Sequence, residues 1–375
     1  MKRLQINERD NWKEIVEGQG LIFHSTEGKY WDESACYAFS EKEILDLEKA
    51  TNELYEMCLE ATEFVISRGL YKEFGIPEKY IAGIEHSWNN EHPSIYGRFD
   101  LAFDGKNIKM LEFNADTPTA LLEASVIQWH WLLDYYASAD QFNSIHEHLI
   151  EHFKVLKPYF LDDSLHFTCV EESIEDYMTT AYLMDCASQT GYKTNLLYIS
   201  DISYDEELNS FLDIENKEIK NIFKLYPYEW MMHEEFGEYL LTTMHKMYWV
   251  EPMWKVIPSN KMILKVLWDL YPHHPYLLPT HTSPITKSYV KKPLMSREGA
   301  NIEIFHDGKI IAQTDGEYGE EGFIYQEYFE IPSFDGYIPT IGSWLIGENA
   351  CGIGIRENTS RIVDNFSRFV PHYFI

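Results

Sequence analysis

No apolar stretch in this chain approaches the roughly 20 residues that a helix needs to cross a bilayer, and none is expected to do so. Basic residues are scarce: 31 Lys plus Arg stand against 61 Asp plus Glu, a net charge of -30. That balance excludes the broad basic footprint of nonspecific nucleic-acid or anionic-membrane binding. It leaves room for local basic pockets and for a cationic co-substrate such as an amine. The five cysteines (Cys36, Cys58, Cys169, Cys186, Cys351) are scattered, odd in number and free of CxxC spacing. They read as reduced thiols, with no disulfide frame and no zinc knuckle. The opening residues Met1 to Glu8 lack the apolar run of a signal peptide, so a soluble cytoplasmic protein is expected. No GxxxxGK[ST] loop occurs, which excludes a Walker-type site, and no GxGxxG occurs, which argues against a Rossmann fingerprint. Neither a Ser/His/Asp order nor a nucleophile elbow is present.

Aromatic residues are abundant, with 26 Tyr, 21 Phe and 10 Trp, and 375 residues suffice for a substantial core in two or three domains. Ser40 and Glu43 form a capping-box pattern ahead of a helix over 41–69. Thr117 is expected to cap a second helix that starts at Pro118 and runs towards Tyr136. Further helical patterns lie near 171–189 and 229–248, and strand-like runs at 165–170, 193–199 and 219–225. The last third reads as short strands at 287–295, 301–305, 309–314, 322–330 and 337–346. This alternation predicts an α/β (α+β) fold. Three interlocked regions are expected. Residues 1–90 are expected to be mainly helical, 91–255 to form an α/β region with an acidic hairpin, and 256–375 to form a strand-rich region with a Gly-rich loop.

The most informative stretch is Tyr96-Gly97-Arg98-Phe99-Asp100, then Asp104-Gly105, then Leu111-Glu112-Phe113-Asn114-Ala115-Asp116-Thr117-Pro118. As a hairpin it buries Phe99, Leu101, Phe103, Leu111 and Phe113 on one face. A three-residue loop, Asp104-Gly105-Lys106, sets Asp100 opposite Met110 and Arg98 opposite Glu112, so Arg98, Asp100, Glu112 and Asn114 share the other face. Two carboxylates and an amide held together suit a hard cation carrying phosphate. An ordinary half-exposed hairpin with surface charges is the alternative.

Two further segments carry chemistry. From Tyr289 to Ile302, Lys292 ends a strand and Arg297, Gly299 and Ala300 form a loop whose N–H groups can approach phosphates. From Gly347 to Arg356, the glycines would let the backbone wrap a ligand, and Arg356 would present a planar cation to a carboxylate or phosphate. Plain turns are the alternative in both places. His146, His148 and His152 have partial zinc-site spacing without a supporting cysteine. His273-His274 reads as a turn.

Taken together and in this order, these segments resemble the ATP-grasp synthetases of the glutathionylspermidine synthase family. The likeness extends to Tyr30-Trp31-Asp32-Glu33, Trp254 to Lys261, Pro272-His273-His274, Tyr276-Leu277-Leu278, Val290 to Pro293 and Ile324-Tyr325-Gln326. It covers nearly the whole chain. The resemblance implies an ATP-grasp fold with a preceding pre-ATP-grasp region. It also implies that Asp100, Glu112 and Asn114 hold Mg2+ on ATP. Lys261 and Lys292 would contact phosphates, and Gln326, Glu327, Tyr328 and Phe329 would line the adenine pocket. Arg98 and Arg356 would stabilise charge on the transferring phosphate and the acyl intermediate, with Arg297 in a loop that closes over it. Thr117 and Thr119 would lie near the peptide substrate, and Glu175 and Asp176 would help bind the peptide and amine.

The implied activity is ATP- and magnesium-dependent joining of a carboxylate to an amine. The family's bifunctional members carry an N-terminal amidase domain that this sequence lacks, so amide hydrolysis is not expected. The Gly-rich element departs from the family at Glu348 and Cys351. Arg368 stands near the place of an acid that receives the polyamine, which argues against spermidine as the amine. A phosphotransferase that stops at a phosphorylated product, and a non-catalytic acidic binding protein on the same scaffold, are the rival readings.

Overall fold

The computed structural model describes residues 1–25, 28–364 and 366–375. Strand Tyr96–Phe103 is the pivot of a five-stranded antiparallel sheet ordered Arg368–Val370, Asn349–Asn358, Ile338–Ile346, Tyr96–Phe103, Ile108–Asn114. Segments from the first and last thirds of the chain are therefore neighbours in one sheet. A smaller sheet repeats the theme: Ala35–Phe39 pairs antiparallel with Lys2–Gln5 and parallel with His372–Phe374.

Helix Glu41–Arg68 packs across the back of the larger sheet. Its start is fixed as predicted: the Ser40 side chain accepts from the Glu43 backbone N–H, and the Glu43 carboxylate accepts from the Ser40 N–H, 2.9 Å. Gly69 ends it in the left-handed region. Leu47, Ala50, Leu54, Ala61 and Val65 are fully buried at helical spacing. Thr51 bonds across to Ser343, Oγ1 to Oγ 2.6 Å. Beneath this helix Phe99 and Phe113 stack at 4.0 Å between centroids, the centre of one of two apolar clusters.

A parallel four-stranded sheet, ordered Tyr248–Val250, Asn221–Leu225, Ser164–Cys169, Lys193–Tyr198, lies on one side of the site. Helix Ile174–Gln189 makes the crossover between its last two strands. On the other side stands a five-stranded antiparallel sheet ordered Thr280–His281, Phe323–Glu327, Tyr289–Pro293, Glu303–His306, Lys309–Gln313. Among the described residues no helix is long and apolar enough to cross a membrane.

Four sequence expectations need correction. The helix expected from Pro118 begins only at Leu121, because Pro118 and Thr119 give their carbonyls to Tyr96 Oη and Arg98, and Ala120 takes a φ of 64°. It opens with a π-helical turn, Glu123–Ile127, before α-helix Gln128–Tyr135. The helical pattern at 229–248 breaks into Tyr228–Met231, a 3-10 turn Glu235–Glu238, Tyr239–Thr243 and strand Tyr248–Val250. There Gly237 packs so tightly on the Met231 carbonyl that an added Cβ would sit 2.2 Å from its oxygen.

The third correction concerns the Gly-rich element. It is a hairpin and not a loop: Gly347 and Glu348 are its turn, and Gly352 and Gly354 lie within strand Asn349–Asn358, packed on Ile145 and the Phe369 ring. The fourth concerns the acidic hairpin. Phe103 pairs with Ile108, so four residues make its turn, and Asp100 pairs with Glu112 while Leu101 pairs with Met110. Leu111 is a bulge. The shared face survives, with Arg98 opposite Asn114, but Leu111 leaves the core face and turns towards the site.

Phe99→Ala should cost about 3–5 kcal/mol in urea-unfolding experiments, the usual cost of emptying a packed aromatic site. Ser40→Ala should cost about 1 kcal/mol, the value of one N-cap.

Candidate active site

The site lies where the acidic hairpin meets the 289–327 strands, and a cavity of about 250 Å³ opens between them and the parallel sheet. Its lining includes Arg98, Asp100, Glu112, Asn114, Thr117, Thr119, Asp176, Lys261, Lys292 and Arg297. Gln326, Glu327, Tyr328, Phe329 and Arg356 line it too. Of the residues singled out in the sequence, Glu175 is not among the lining groups, though it stands next to Asp176 at the start of helix Ile174–Gln189. Arg368 is not in the lining either. Its guanidinium donates to Asp32, 2.9 Å, and lies over the Tyr337 ring, so the expected repulsion of a cationic amine loses its structural basis.

Arg98 lies along the sheet. Its Nε and Nη2 donate to the two oxygens of Asp100, at 2.8 and 3.3 Å, and Nη1 donates to the Thr119 carbonyl at 2.7 Å. Gly342 on the neighbouring strand makes this possible, since a Cβ there would sit 2.9 Å from Arg98 Cδ. Glu112 faces Lys261 at 3.2 Å and accepts weakly from the Asn114 amide at 3.4 Å. Burial opposes its ionisation, but Lys261, Lys292 and Arg98 outweigh that and hold its pKa well below the usual carboxylate range.

The bulge at Leu111 joins the two sheets. Its carbonyl accepts from Lys292 Nζ at 2.8 Å, and the Met110 carbonyl accepts from Gln326 Nε2 at 3.1 Å. Gln326 Oε1 takes a second bond from Lys292, 2.8 Å. Burial, eased by Glu112, pushes the Lys292 ammonium down to about 8. Lys261 donates to the Ser296 carbonyl at 2.6 Å, tying down the loop that carries Arg297. Arg356 donates from Nη2 to the Asp364 carbonyl, 2.7 Å, while its buried Nε has no partner among the described residues. That leaves a donor available for an anionic ligand.

The donor set fits magnesium. Asp100, Glu112 and Asn114 offer hard oxygen ligands on one face, too few for an all-protein cage but suited to an ion completed by phosphate and water. The three histidines with partial zinc-site spacing turn elsewhere. His146 Nδ1 meets Tyr182 Oη, His148 Nδ1 meets the Ser144 carbonyl, and His152 Nε2 meets the Ser94 carbonyl.

Several groups escaped the sequence reading. Asp116 and Lys224 form a buried ion pair at 2.6 Å that anchors the Asn114–Thr117 turn to the parallel sheet. A lysine inside the apolar run Ile222 to Leu225 was its signal. Glu229 holds Arg297 from 68 positions away and left no local trace. Glu123 is fully buried, accepts from Tyr30 Oη at 2.6 Å, and is pushed up to about 7 by burial and by Glu175. Asp176 is likewise pushed up to about 7, by burial first and then by Glu175.

The family described as glutathionylspermidine synthase preATP-grasp matches residues 3–375. A Haemophilus influenzae protein provisionally named an acid–amine ligase is 42% identical over 360 residues, covering 92% of this chain and 91% of that protein. The bifunctional glutathionylspermidine synthetase/amidase of Escherichia coli is 28% identical, covering 89% of this chain but 58% of its own length. A glutathione synthetase-like effector from Globodera pallida shares the fold, with a TM-score of 0.53 at 10% identity over 98% of each chain. Matched along almost its whole length, the chain belongs to the glutathionylspermidine synthase family, a family of ATP-dependent carbon–nitrogen ligases on an ATP-grasp-type fold.

Proposed function

We propose that this protein joins a carboxylate, on a peptide or amino acid, to an amine through an acyl phosphate, at the expense of ATP and with magnesium. One observation carries the reading: Arg98, Asp100, Glu112 and Asn114 converge on the same cavity as Lys261, Lys292, Arg297 and Arg356. In this reading the adenine lies against Gln326, Glu327, Tyr328 and Phe329, and Lys261 and Lys292 meet the phosphates. Asp100, Glu112 and Asn114 would hold the magnesium, which would supply positive charge to offset the charge that develops on the phosphates.

The chain's own residues then do three things. Thr117 and Thr119 place the carboxylate so that its oxygen attacks the γ-phosphorus while the bond to the ADP oxygen breaks. Arg98 and Arg356, planar and permanently charged, stabilise the equatorial oxygens and then the acyl phosphate. Asp176 with Glu175 holds the ammonium groups of the substrates; the amine, once deprotonated, attacks the acyl carbon, and phosphate leaves with the electrons of the C–O bond. The loop around Arg297 keeps water from the acyl phosphate, whose hydrolysis would waste the ATP.

Titration calorimetry should find ATP binding that depends on magnesium and is lost in EDTA; binding indifferent to magnesium would remove the metal assignment. Asp100→Ala and Glu112→Ala should lower amide formation about a thousandfold or more, as loss of a metal worth several kcal/mol requires, with folding intact by circular dichroism. A screen of peptides and amino acids against amines, read by ADP release and product mass, separates a ligase from a phosphotransferase: only the ligase yields a new amide plus free phosphate. ATP affinity should fall as pH rises through about 8, since Lys292 is charged below that value and neutral above it. Lys292→Met should flatten that pH profile.

A further inference from the structure

Arg297 is bound on two sides. Its Nε and Nη2 donate to Glu229 Oε1 at 2.9 and 2.7 Å, and its Nη1 donates to Thr117 Oγ1 at 2.5 Å. Its guanidinium also lies 5.9 Å from the centre of the Trp230 ring. Both holding points are fixed. Asp116, the neighbour of Thr117, bonds Lys224 and accepts from the Tyr228 backbone N–H at 3.1 Å, and Tyr228 precedes Glu229. The loop backbone around Arg297 is held as well, by Lys261 on the Ser296 carbonyl and by the Ala300 N–H on the Arg297 carbonyl, 2.9 Å. The side chain is the part left free to change partners.

The proposed reaction makes competing demands on this arrangement. Thr117 is the hydroxyl assigned to the carboxylate substrate, yet it is engaged by Arg297. Arg297 belongs to the loop assigned to cover the acyl phosphate, yet it is paired with Glu229. We propose that Glu229 is a positioning residue which, together with the Thr117 hydroxyl, withholds Arg297 from the phosphate end of the cavity until a carboxylate displaces the guanidinium from Thr117. This rests on the ligase reading above and adds an order to it. An arriving carboxylate competes for Thr117 Oγ1 and offers Arg297 an anionic partner capable of bidentate pairing in place of a neutral oxygen. The arginine is then drawn from Glu229 towards the carboxylate, at the reacting end of the cavity, when there is something to phosphorylate. Without a carboxylate, the wasteful alternative is attack by water on the γ-phosphorus. An O–P bond forms to water, the bond to ADP breaks, and a proton passes to solvent.

The test uses the full chain with Mg·ATP as the only added ligand and follows ADP release. Glu229→Gln keeps the size of the side chain and removes its charge; Thr117→Val removes the other acceptor. Each should raise carboxylate-independent ADP release by about tenfold, the effect expected from losing one hydrogen bond to a charged group. Combining Glu229→Gln with Arg297→Ala should return the rate to the wild-type level or below, which a general loosening of structure would not do. Calorimetric affinity for Mg·ATP should stay within about twofold, since neither residue is assigned to the nucleotide; a tenfold change in affinity would correspond to about 1.4 kcal/mol. Unchanged or slower ADP release in both single variants, with affinity intact, overturns the proposal. Absence of Mg·ATP binding in the wild-type protein overturns the ligase reading beneath it instead.

Discussion

The site depends on the pairing of strand Tyr96–Phe103 with strands on both sides, Ile338–Ile346 and Ile108–Asn114. Side chains on adjacent strands share a face only in the correct register, and a slip of one residue would send Asp100 and Glu112 into the core. The core forbids that slip. Phe99 and Phe113 stack beneath the hairpin and Leu101 and Met110 are fully buried, so apolar packing on one face fixes the charges on the other. Burying that aromatic surface, at about 25 cal/mol per Å², is the force that keeps Arg98, Asp100, Glu112 and Asn114 together.

On that face the two cross-strand carboxylates, Asp100 and Glu112, are each matched by a cation. Arg98 covers Asp100, Lys261 faces Glu112, and Lys292 spends its bonds on a carbonyl and an amide. The protein therefore tolerates a dense set of ionised groups before any nucleotide arrives. Their partners on the far side are buried ion pairs, Lys224 with Asp116 and Lys255 with Glu251. Pairs of this kind add little net stability, but losing one member would leave a bare charge in the interior. They specify where the Asn114–Thr117 turn runs.

Much of this was legible in the sequence where the signal was local. The capping box at Ser40, the alternation of apolar and charged positions in the hairpin, and the strand runs of the last third each reflect interactions within a few residues. The bulge at Leu111 was not legible, because it exists to present a carbonyl to Lys292, 181 positions away. The helical pattern at 229–248 misled because Met and Leu recur at helical spacing there while close packing at Gly237 breaks the chain. Arg297 was found through its loop, whereas Glu229 and Glu123 derive their character from distant partners. Family resemblance brought the lysines and arginines into one frame; spacing alone would have left each of them an ordinary surface cation.

The sheet that begins with Lys2–Gln5 and Ala35–Phe39 takes its third strand from His372–Phe374, and the Arg368–Val370 strand closes the edge of the larger sheet. During synthesis these partners leave the ribosome hundreds of residues apart, so strand Ala35–Phe39 keeps an open edge until residues 372–374 have emerged. Pairings so remote along the chain carry a large loop-closure cost and slow the search for the native topology. Ribosome-bound chains ending before residue 368 lack those edge strands, and such exposed edges are what chaperones meet in vivo.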